Sequence, residues 1–369
     1  MSTDKLYYTD SYIKEFEATV TKVADGFVVL DRTAFFPEGG GQASDDGMID
    51  NSSVTSVKET DGEIRHYTGA SFKEGQKVSC VLNFDERLRK MRNHSAEHIF
   101  CGLVHAKFGY GNVGFHLSDV VTFDFDGELS REQVFEIERE ANEAILKNMP
   151  VTTWFPTAEE ASQLPFRSKL ELDEMPELRL VRIGDVDLCA CCAPHVRNTG
   201  EIGMLKIITS DRHRGGTRLT MVAGLDAYRL AGQYQESVTE ISGKLSAPRE
   251  NVSEWVQNLK EERDRIKYEK IGLEMQLVRN LPVDDNCVFT ELSDDGAREY
   301  CNLLKEHHTV AAVFTGEKYV IGSNSVNLRE LSGEINAAIE GRGGGRPEMI
   351  SGTAKADSET IHKYFSKYL

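Results

Sequence analysis

Two pairs of metal-binding residue types, far apart in the chain, constrain its fold more than any other feature. His94 and His98 stand four residues apart, and Cys191 and His195 repeat that spacing. Residues four apart on a helix lie on one face, about 5–6 Å apart at Cβ, so both can reach one ion. A thiolate with three imidazoles makes a good tetrahedral zinc set. The sequence therefore predicts a fold that brings both pairs to one zinc ion.

Each pair also has a plainer interpretation. Two histidines at this spacing in a half-buried helix are more often packing or surface residues, and free cysteines pack as small hydrophobic side chains. Cys191 is favoured over Cys189 and Cys192 because it alone has a histidine four residues later. Pro194 nevertheless predicts a turn there rather than a straight helix. The presence of two such pairs in one chain favours the metal site.

Because of Glu97, the sequence also fits a second class of enzyme, the inverted zinc peptidases. Glu97 gives the first pair the order His-x-x-Glu-His, the reverse of the His-Glu-x-x-His motif of zinc proteases. Inverted zinc peptidases use this order. Such an enzyme would bind zinc through His94 and His98, would need an acidic third ligand, and would leave Cys191 and His195 unexplained.

Segments of different periodicity predict an α+β fold. Residues 1–85 alternate apolar and polar positions between Gly and Asp turns, which predicts a small β-barrel or sandwich module. Residues 86–228 combine a helical pattern around the histidine pair with strand patterns and a helix at 131–149, as in an α+β domain. Residues 282–369 mix strands and helices and predict a compact α/β unit.

Residues 229–281 are predicted to form one long helical linker. Apolar residues recur there at heptad-like spacing, at Val252, Val256, Leu259, Ile266, Leu273 and Leu277. A rod that packs on its own chain and a coiled-coil seam between two copies of a homodimer both fit this pattern.

Composition narrows the cellular setting. The chain has no long apolar run and no secretory signal, so we expect no membrane span. Its seven cysteines are odd in number, with three crowded at 189–192, which favours metal or thiol chemistry in a reducing compartment. We therefore expect a cytoplasmic protein.

The formal charge of −17 disfavours a protein that coats nucleic acid by charge alone. A local basic patch can still bind phosphates, although either candidate patch can equally be a solvated charged face. The two patches comprise Arg87, Arg89, Lys90 and Arg92, and Lys206, Arg212, Arg214 and Arg218.

Four segments resemble alanyl-tRNA synthetases and the free-standing alanyl-tRNA editing proteins of the AlaX family. Three match the editing half in the same order: R-T-A-F-F-P-E-G-G-G-Q-A-S-D-D-G (32–47), N-H-S-A-E-H (93–98) and C-x-x-x-H-V-R-N-T-G-E-I-G (191–203). The fourth, G-R-G-G-G-R-P-E-M (341–349), resembles the glycine-rich loop of the DHHA1-type domain that ends alanyl-tRNA synthetases. The resemblance implies an editing domain at 86–228 and a DHHA1-like domain at 282–369.

The resemblance also implies an activity. One zinc ion would be held by His94, His98, Cys191 and His195, and the ester of seryl- or glycyl-tRNA would be hydrolysed when the tRNA is the alanine acceptor. A synthetase has a long class II adenylate-forming domain before the editing unit, whereas this chain opens on the β-module. The chain therefore resembles the long free-standing editor, which is not expected to activate alanine.

Thr33 and Gln42 are the candidate catalytic residues. The family places a hydroxyl at Thr33 that contacts the substrate side chain, and such a site can reject alanine because alanine leaves a polar group unpaired. Gln42 follows a glycine loop whose backbone N–H groups would approach the ester. Ordinary strand and turn roles explain both residues equally. Most relatives have Gly-Gly-Thr after the ligand cysteine, whereas this chain has residues 192–194 as Cys-Ala-Pro, which puts the pocket shape in doubt.

Arginines are the candidate tRNA contacts, namely Arg212, Arg214 and Arg218 of the second patch and Arg342 and Arg346 of the glycine-rich loop. The competing function is a zinc-stabilised protein that binds tRNA without cleaving it.

Overall fold

The chain contains both helices and strands, with seven consecutive strands before the first long helix, and the predicted α+β class is confirmed. The computed structural model describes residues 3–118, 120–168 and 178–368. The chain forms two units, Met1–Ser237 and Val238–Leu369. The finer division into four domains stays a prediction. No helix in the described ranges is long and apolar enough to cross a membrane.

The first unit begins with a closed six-stranded barrel in the order β2-β3-β7-β6-β5-β8. The elements of the first unit up to the end of the barrel are β1 (Asp4–Lys5), α1 (Leu6–Thr9), β2 (Glu15–Ala24), β3 (Phe27–Leu30), β4 (Arg32–Thr33), β5 (Gly47–Ile49), β6 (Ser52–Thr60), β7 (Glu63–Thr68) and β8 (Lys77–Leu82). Alternate residues of these strands, such as Ala18 and Val20 of β2 or Val78 and Cys80 of β8, are buried in the barrel core. Period-two alternation produces this inward row because successive side chains of a strand point to opposite faces.

The rest of the first unit is built around one long helix, α2. Its elements are α2 (Phe84–Phe108), β9 (Asn112–Leu117), β10 (Val121–Phe125), α3 (Arg131–Leu146), β11 (Val151–Trp154), α4 (Ala158–Gln163), β12 (Leu180–Ile183), β13 (Asp187–Ala190), β14 (Leu205–His213), β15 (Gly216–Ala223) and the start of α5 (Leu225–Leu245). Four strands form the antiparallel sheet β14-β15-β10-β9, and β11-β12-β13 form a smaller sheet. The α2 helix contacts α3, β13 and β15, so it lies in the middle of this core.

The second unit contains a five-stranded sheet in the order β16-β17-β18-β20-β19. Its elements after α5 are α6 (Val252–Val278), β16 (Cys287–Phe289), α7 (Asp294–Leu304), β17 (Ala311–Thr315), β18 (Lys318–Gly322), α8 (Leu328–Ala338), β19 (Arg342–Arg346), β20 (Met349–Thr353) and α9 (Ser358–Phe365). The glycine-rich segment forms β19 and its turn to β20, at one edge of the sheet. The DHHA1 resemblance of this unit stays a prediction.

The segment predicted as one long helix is two helices, α5 and α6, separated by residues 246–251. Ser246 adopts a left-handed φ of 52°. The N–H of Ala247 donates to the carbonyl of Ser242 at 3.0 Å, as in the Schellman motif that ends many helices. Pro248 follows at once and cannot continue the helix. The heptad-spaced residues all lie in the one helix α6, but a single helix over the whole of 229–281 was wrong, because the chain stops α5 before the heptad-spaced residues begin.

Two of the four residues of the first predicted basic patch do not lie on the surface, whereas Arg89 and Arg92 are partly exposed. Arg87 is buried and forms an ion pair with Asp45, while Lys90 is buried and donates to the carbonyl of Ser44 at 2.6 Å. The side chains of Arg87 and Lys90 both face the segment between β4 and β5. The surface interpretation was therefore wrong for Arg87 and Lys90, because the face of α2 that carries them packs against the protein.

Candidate metal centre

The α2 helix carries the first ligand pair on its buried face. It ends at Gly109, whose φ of 72° supplies the left-handed C-terminal residue that glycine favours. His94 and His98 lie in the middle of the helix and are 4% and 3% exposed. Their ring centroids are 5.2 Å apart, as the spacing of four residues requires.

The second pair lies in the turn that follows β13. Pro194 stands between Cys191 and His195, and the segment is irregular rather than helical, as Pro194 predicts. His195 is 3% exposed, and its ring centroid is 4.7 Å from that of His98. The turn therefore returns His195 to the histidines of α2.

The structure brings the four predicted ligands together. The Sγ atom of Cys191 lies 3.6 Å from Nε2 of His94 and 3.4 Å from Nε2 of His195. The candidate ligand atoms of the four residues, including His98, all lie within 4.8 Å of one another. Three imidazoles and one thiol in this arrangement can hold a metal ion.

Each imidazole is oriented by a contact at its other ring nitrogen. Nδ1–H of His94 donates to the amide oxygen of Gln42 at 2.8 Å, and Nδ1–H of His98 donates to Asp187 at 3.0 Å. Nδ1 of His195 lies 2.9 Å from Oγ of Ser95. A hydrogen bond at Nδ1 fixes the tautomer that leaves Nε2 as a lone-pair donor for a metal.

Asp187 is itself held by an arginine. Nε and Nη2 of Arg167 donate to its two carboxylate oxygens at 2.7 and 2.9 Å. Burial would raise the pKa of the Asp187 carboxyl, but the His98 hydrogen bond and the Arg167 charge bring that pKa below its ordinary value. Asp187 and His98 also form a second possible metal cluster with Cys189. That set suits a cation less well, since Asp187 already pairs with Arg167.

The protonation states at the centre follow from burial. Burial and the neighbouring histidines lower the pKa of His195 well below its ordinary value, so its imidazole is neutral. Burial raises the pKa of the Cys191 thiol. A bound divalent cation reverses this preference, because a coordinating thiol is deprotonated. The donor chemistry therefore fits zinc.

A cavity of about 560 Å³ opens over these ligands. Its wall includes His94, His98 and Cys191, together with aromatic, cationic and acidic side chains. These side chains are Tyr7, Tyr8, Phe36, Phe115, Lys5, Arg167, Arg179, Glu38, Glu59 and Glu97. The neighbouring thiols Cys189 and Cys192 also line the cavity.

The glycine loop before Gln42 packs against β9. Gly41 has a φ of 81°, and a Cβ there would lie 2.5 Å from the carbonyl oxygen of Phe115. Its own carbonyl accepts a hydrogen bond from the N–H of Leu117 at 2.8 Å. Only glycine tolerates this conformation and approach. This close contact of Gly41 with β9 places the side chain of Gln42 beside His94.

Thr33 lies in the barrel core and is not among the residues that line the cavity. Its Oγ1 lies 2.8 Å from Nε2 of His66 and accepts a hydrogen bond from the N–H of Phe35 at 3.1 Å. Its strand partner is Lys5, which does line the cavity. A substrate contact by Thr33 stays a prediction.

Three candidate tRNA-binding arginines lie on the β14–β15 hairpin of the first unit. Arg212 pairs with Glu128 at 2.5 Å, and Arg218 pairs with Asp124 at 2.7 Å. Arg214 occupies the connecting turn with a φ of 48°. Exposed ion pairs of this kind contribute little stability, so their charges can be re-partnered.

The other two candidate arginines, Arg342 and Arg346, lie on β19 of the second unit. All five residues of this strand are exposed, and the three between the arginines are glycines. Residues four apart in a strand point to the same face. The strand therefore presents two cations on a bare stretch of backbone.

Four supporting residues were missed by the sequence analysis, namely Ser95, Arg167, Arg179 and Asp187. Ser95 was within the quoted N-H-S-A-E-H motif, and Asp187 is two residues before Cys189. Nothing in their spacing indicates that they approach the ligands. Their roles depend on contacts between distant segments.

Comparison with known proteins yields two family models. One described as the second additional domain of threonyl and alanyl tRNA synthetases matches residues 178–219, which include Cys191 and His195. One described as class II (A) tRNA synthetases matches residues 4–86, which include the barrel.

Curated relatives cover most of the chain. The alanyl-tRNA editing protein AlaX-L of Pyrococcus horikoshii is 27% identical over 97% of this chain and 96% of its own length. AlaX-M of Saccharolobus solfataricus is 37% identical over 58% of this chain and 96% of its own length. The alanine–tRNA ligase of Pyrococcus abyssi is 30% identical over 96% of this chain, which spans only 42% of that ligase.

Proposed function

The chain belongs to the alanyl-tRNA editing protein family, whose members are deacylating hydrolases, and from that premise we propose that it removes wrongly attached amino acids from alanine tRNA. The substrate is seryl- or glycyl-tRNA whose tRNA is the alanine acceptor. The reaction is hydrolysis of the ester between the aminoacyl carbonyl and the terminal ribose.

The observation that carries this proposal is the convergence of His94, His98, Cys191 and His195 beside a cavity. We propose that these residues hold one zinc ion, which when bound supplies Lewis-acid chemistry for ester hydrolysis. Gln42, Ser95 and Asp187 keep the imidazoles in the metal-binding tautomer. A peptide-bond hydrolase of the inverted type would not explain why Cys191 and His195 join the cluster.

The rest of the cavity wall suits the end of a tRNA. Tyr8 and Phe115 offer partly exposed aromatic faces on which a terminal base can stack. Lys5 pairs with the partly exposed Glu59 at 3.1 Å and adds a cation that a phosphate can re-partner. We propose that the body of the tRNA is bound by five further arginines, Arg212, Arg214, Arg218, Arg342 and Arg346.

The proposed cleavage is tested with seryl-, glycyl- and alanyl-tRNA charged on alanine tRNA. We expect the purified protein to deacylate one or both mischarged substrates and to spare alanyl-tRNA. Treatment with a chelator is expected to slow cleavage, and added zinc is expected to restore it. Tight tRNA binding with no turnover of any substrate would instead identify a non-catalytic tRNA-binding protein.

A further inference from the structure

Arg179 is a buried cation whose position the proposed chemistry leaves unexplained. It directly precedes β12, lines the cavity and is only 5% exposed. Its guanidinium carbon lies 5.2 Å from the ring centroid of Tyr8. Burying a charged side chain costs free energy unless hydrogen-bond partners surround it.

The contacts of Arg179 enclose the ligand Cys191. The N–H of Cys191 donates to the carbonyl of Arg179 at 3.0 Å. In return, Nη1 of Arg179 donates to the carbonyls of Cys191 and Ala193, each at 2.9 Å. One residue thus holds the backbone of Cys191 on both its N–H and its carbonyl side.

The local sequence explains why these hydrogen bonds are needed. Cys191 lies just beyond the end of β13, and Pro194 has no N–H to donate to a neighbouring strand. The carbonyls of this turn therefore need a donor from elsewhere, since buried carbonyl groups are normally hydrogen-bonded. The two N–H bonds of Nη1 of Arg179 supply a donor to each of the two carbonyls.

The charge of Arg179 matches the charge that metal binding creates. A thiol that binds a metal does so as a thiolate, so Cys191 gains a negative charge in a buried setting. Arginine remains protonated inside proteins, so Arg179 keeps its positive charge beside the turn. The same side chain therefore fixes the backbone and offsets the charge of the ligand.

We propose that Arg179 is the positioning residue for the metal-bound thiolate of Cys191, through its hydrogen bonds to the Cys191 and Ala193 carbonyls and its buried charge. This inference rests on the metal site of the proposed function. Arg179 would hold the ligand Cys191 in position, as the hydrogen bond from Asp187 holds the ligand His98.

The test compares Arg179→Gln and Arg179→Lys with Arg182→Gln as the matched control. Arg182 lies on β12, which Arg179 directly precedes, but it is exposed and lies against Trp154, 5.8 Å from its ring centroid. The zinc dissociation constant of each full-length protein is measured by competition with a chromophoric chelator. The thiolate-to-cobalt absorption band is then recorded after cobalt substitution.

For Arg179→Gln we expect zinc affinity to fall about ten- to a hundredfold, the usual effect of losing a partner of a metal ligand, with a weakened or shifted thiolate-to-cobalt band. Arg179→Lys keeps the charge but has a shorter side chain that reaches the two carbonyls less well, so we expect a smaller loss. Arg182→Gln should bind zinc like the unaltered protein.

Unchanged zinc affinity and cobalt spectrum in Arg179→Lys and Arg179→Gln would overturn the proposal. If Arg179→Gln does not fold, Arg179→Lys decides the question, and unaltered binding by that variant overturns the proposal. Loss of tRNA cleavage with unchanged zinc binding would also overturn it and would assign Arg179 to the substrate. The zinc titration needs no tRNA, so failure of the editing function would be seen separately.

Discussion

Three buried imidazoles lie around a single thiol at the candidate metal centre. Their Nδ1 atoms contact an amide, a carboxylate and a hydroxyl, from Gln42, Asp187 and Ser95. These different partners have one effect, which is to hold each ring in the same tautomer. At the scale of the residue, the centre is therefore organised before a metal arrives.

Cys191→Ala is expected to remove most of the bound zinc. The substitution deletes the only thiol of the four-residue cluster and leaves three imidazoles. Metal analysis of the purified variant checks this, with Cys192→Ala as the control because Cys192 lines the same cavity. Full zinc content in Cys191→Ala would show that Cys189 or Cys192 is the true sulfur ligand.

Thr33→Val is expected to slow seryl-tRNA cleavage about ten- to a hundredfold, as the loss of one hydrogen bond worth roughly 1–3 kcal/mol predicts. Glycyl-tRNA has no side-chain hydroxyl, so its cleavage should change much less. Thr33→Ser is the control that keeps the hydroxyl. Because Thr33 also accepts a hydrogen bond from Phe35, equal losses on both substrates would indicate a structural role.

His66 is expected to make the barrel sensitive to mild acid. Burial lowers its pKa from 6.5 to about 4, despite the opposing effect of its hydrogen bond to Val28. Between these two pH values the unfolded chain binds a proton that the folded chain does not, so stability falls as pH falls. The full loss corresponds to about 3 kcal/mol.

The His66 effect is measured by urea unfolding from pH 7 to pH 4, in parallel with His66→Gln. The glutamine has no group that titrates there, so its stability should fall less over this range. Parallel curves for the two proteins would contradict a buried neutral His66.

At the scale of the element, α2 is the platform of the site. It supplies two ligands and Ser95, and it packs closely enough on β13 for Asp187 to reach His98. Gly102 permits that approach, since a Cβ there would lie 2.6 Å from the carbonyl oxygen of Val186. A glycine in a helix interior costs up to about 1 kcal/mol relative to alanine, and close packing is the compensation.

Gly102→Ala is therefore expected to destabilise the protein by about 1–3 kcal/mol, because the clash is with backbone and outweighs the gain in helix propensity. Zinc affinity should also fall as β13 shifts. The control is Gly232→Ala in α5, where a Cβ meets nothing within 4 Å. That control should be neutral or stabilising in urea unfolding. Equal stability of the two variants would show that α2 and β13 can move apart with no loss in the free energy of unfolding.

At the scale of the whole molecule, the first unit contains all four ligands and the cavity. A sequence boundary near residue 228 would cut α5 close to Ala227, which is fully buried, and to Asp226, which pairs with Arg89 at 3.4 Å. The boundary of the unit at Ser237 keeps both contacts. The short relative AlaX-M matches only 58% of this chain.

A protein that ends at Ser237 is expected to fold, bind zinc and retain ester cleavage, while its affinity for tRNA or its self-association weakens. Leu259, Ile266 and Leu273 of α6 are exposed in the removed part and are the candidate dimer contacts. Sedimentation and tRNA-binding titrations of both lengths check this. A shortened protein with the same association state and tRNA affinity would refute a role for the second unit in either.

The sequence alone determined the four candidate ligands, because spacing of four residues places two side chains on one helical face or in one turn. It likewise determined the alternation of the barrel strands, a local property of extended chains. The tertiary structure decided everything that depends on contacts between distant segments. It alone placed Asp187 and Arg179 beside the ligands, buried Arg87 and Lys90, and put Thr33 against His66, since no local pattern records which remote group will satisfy a buried polar atom.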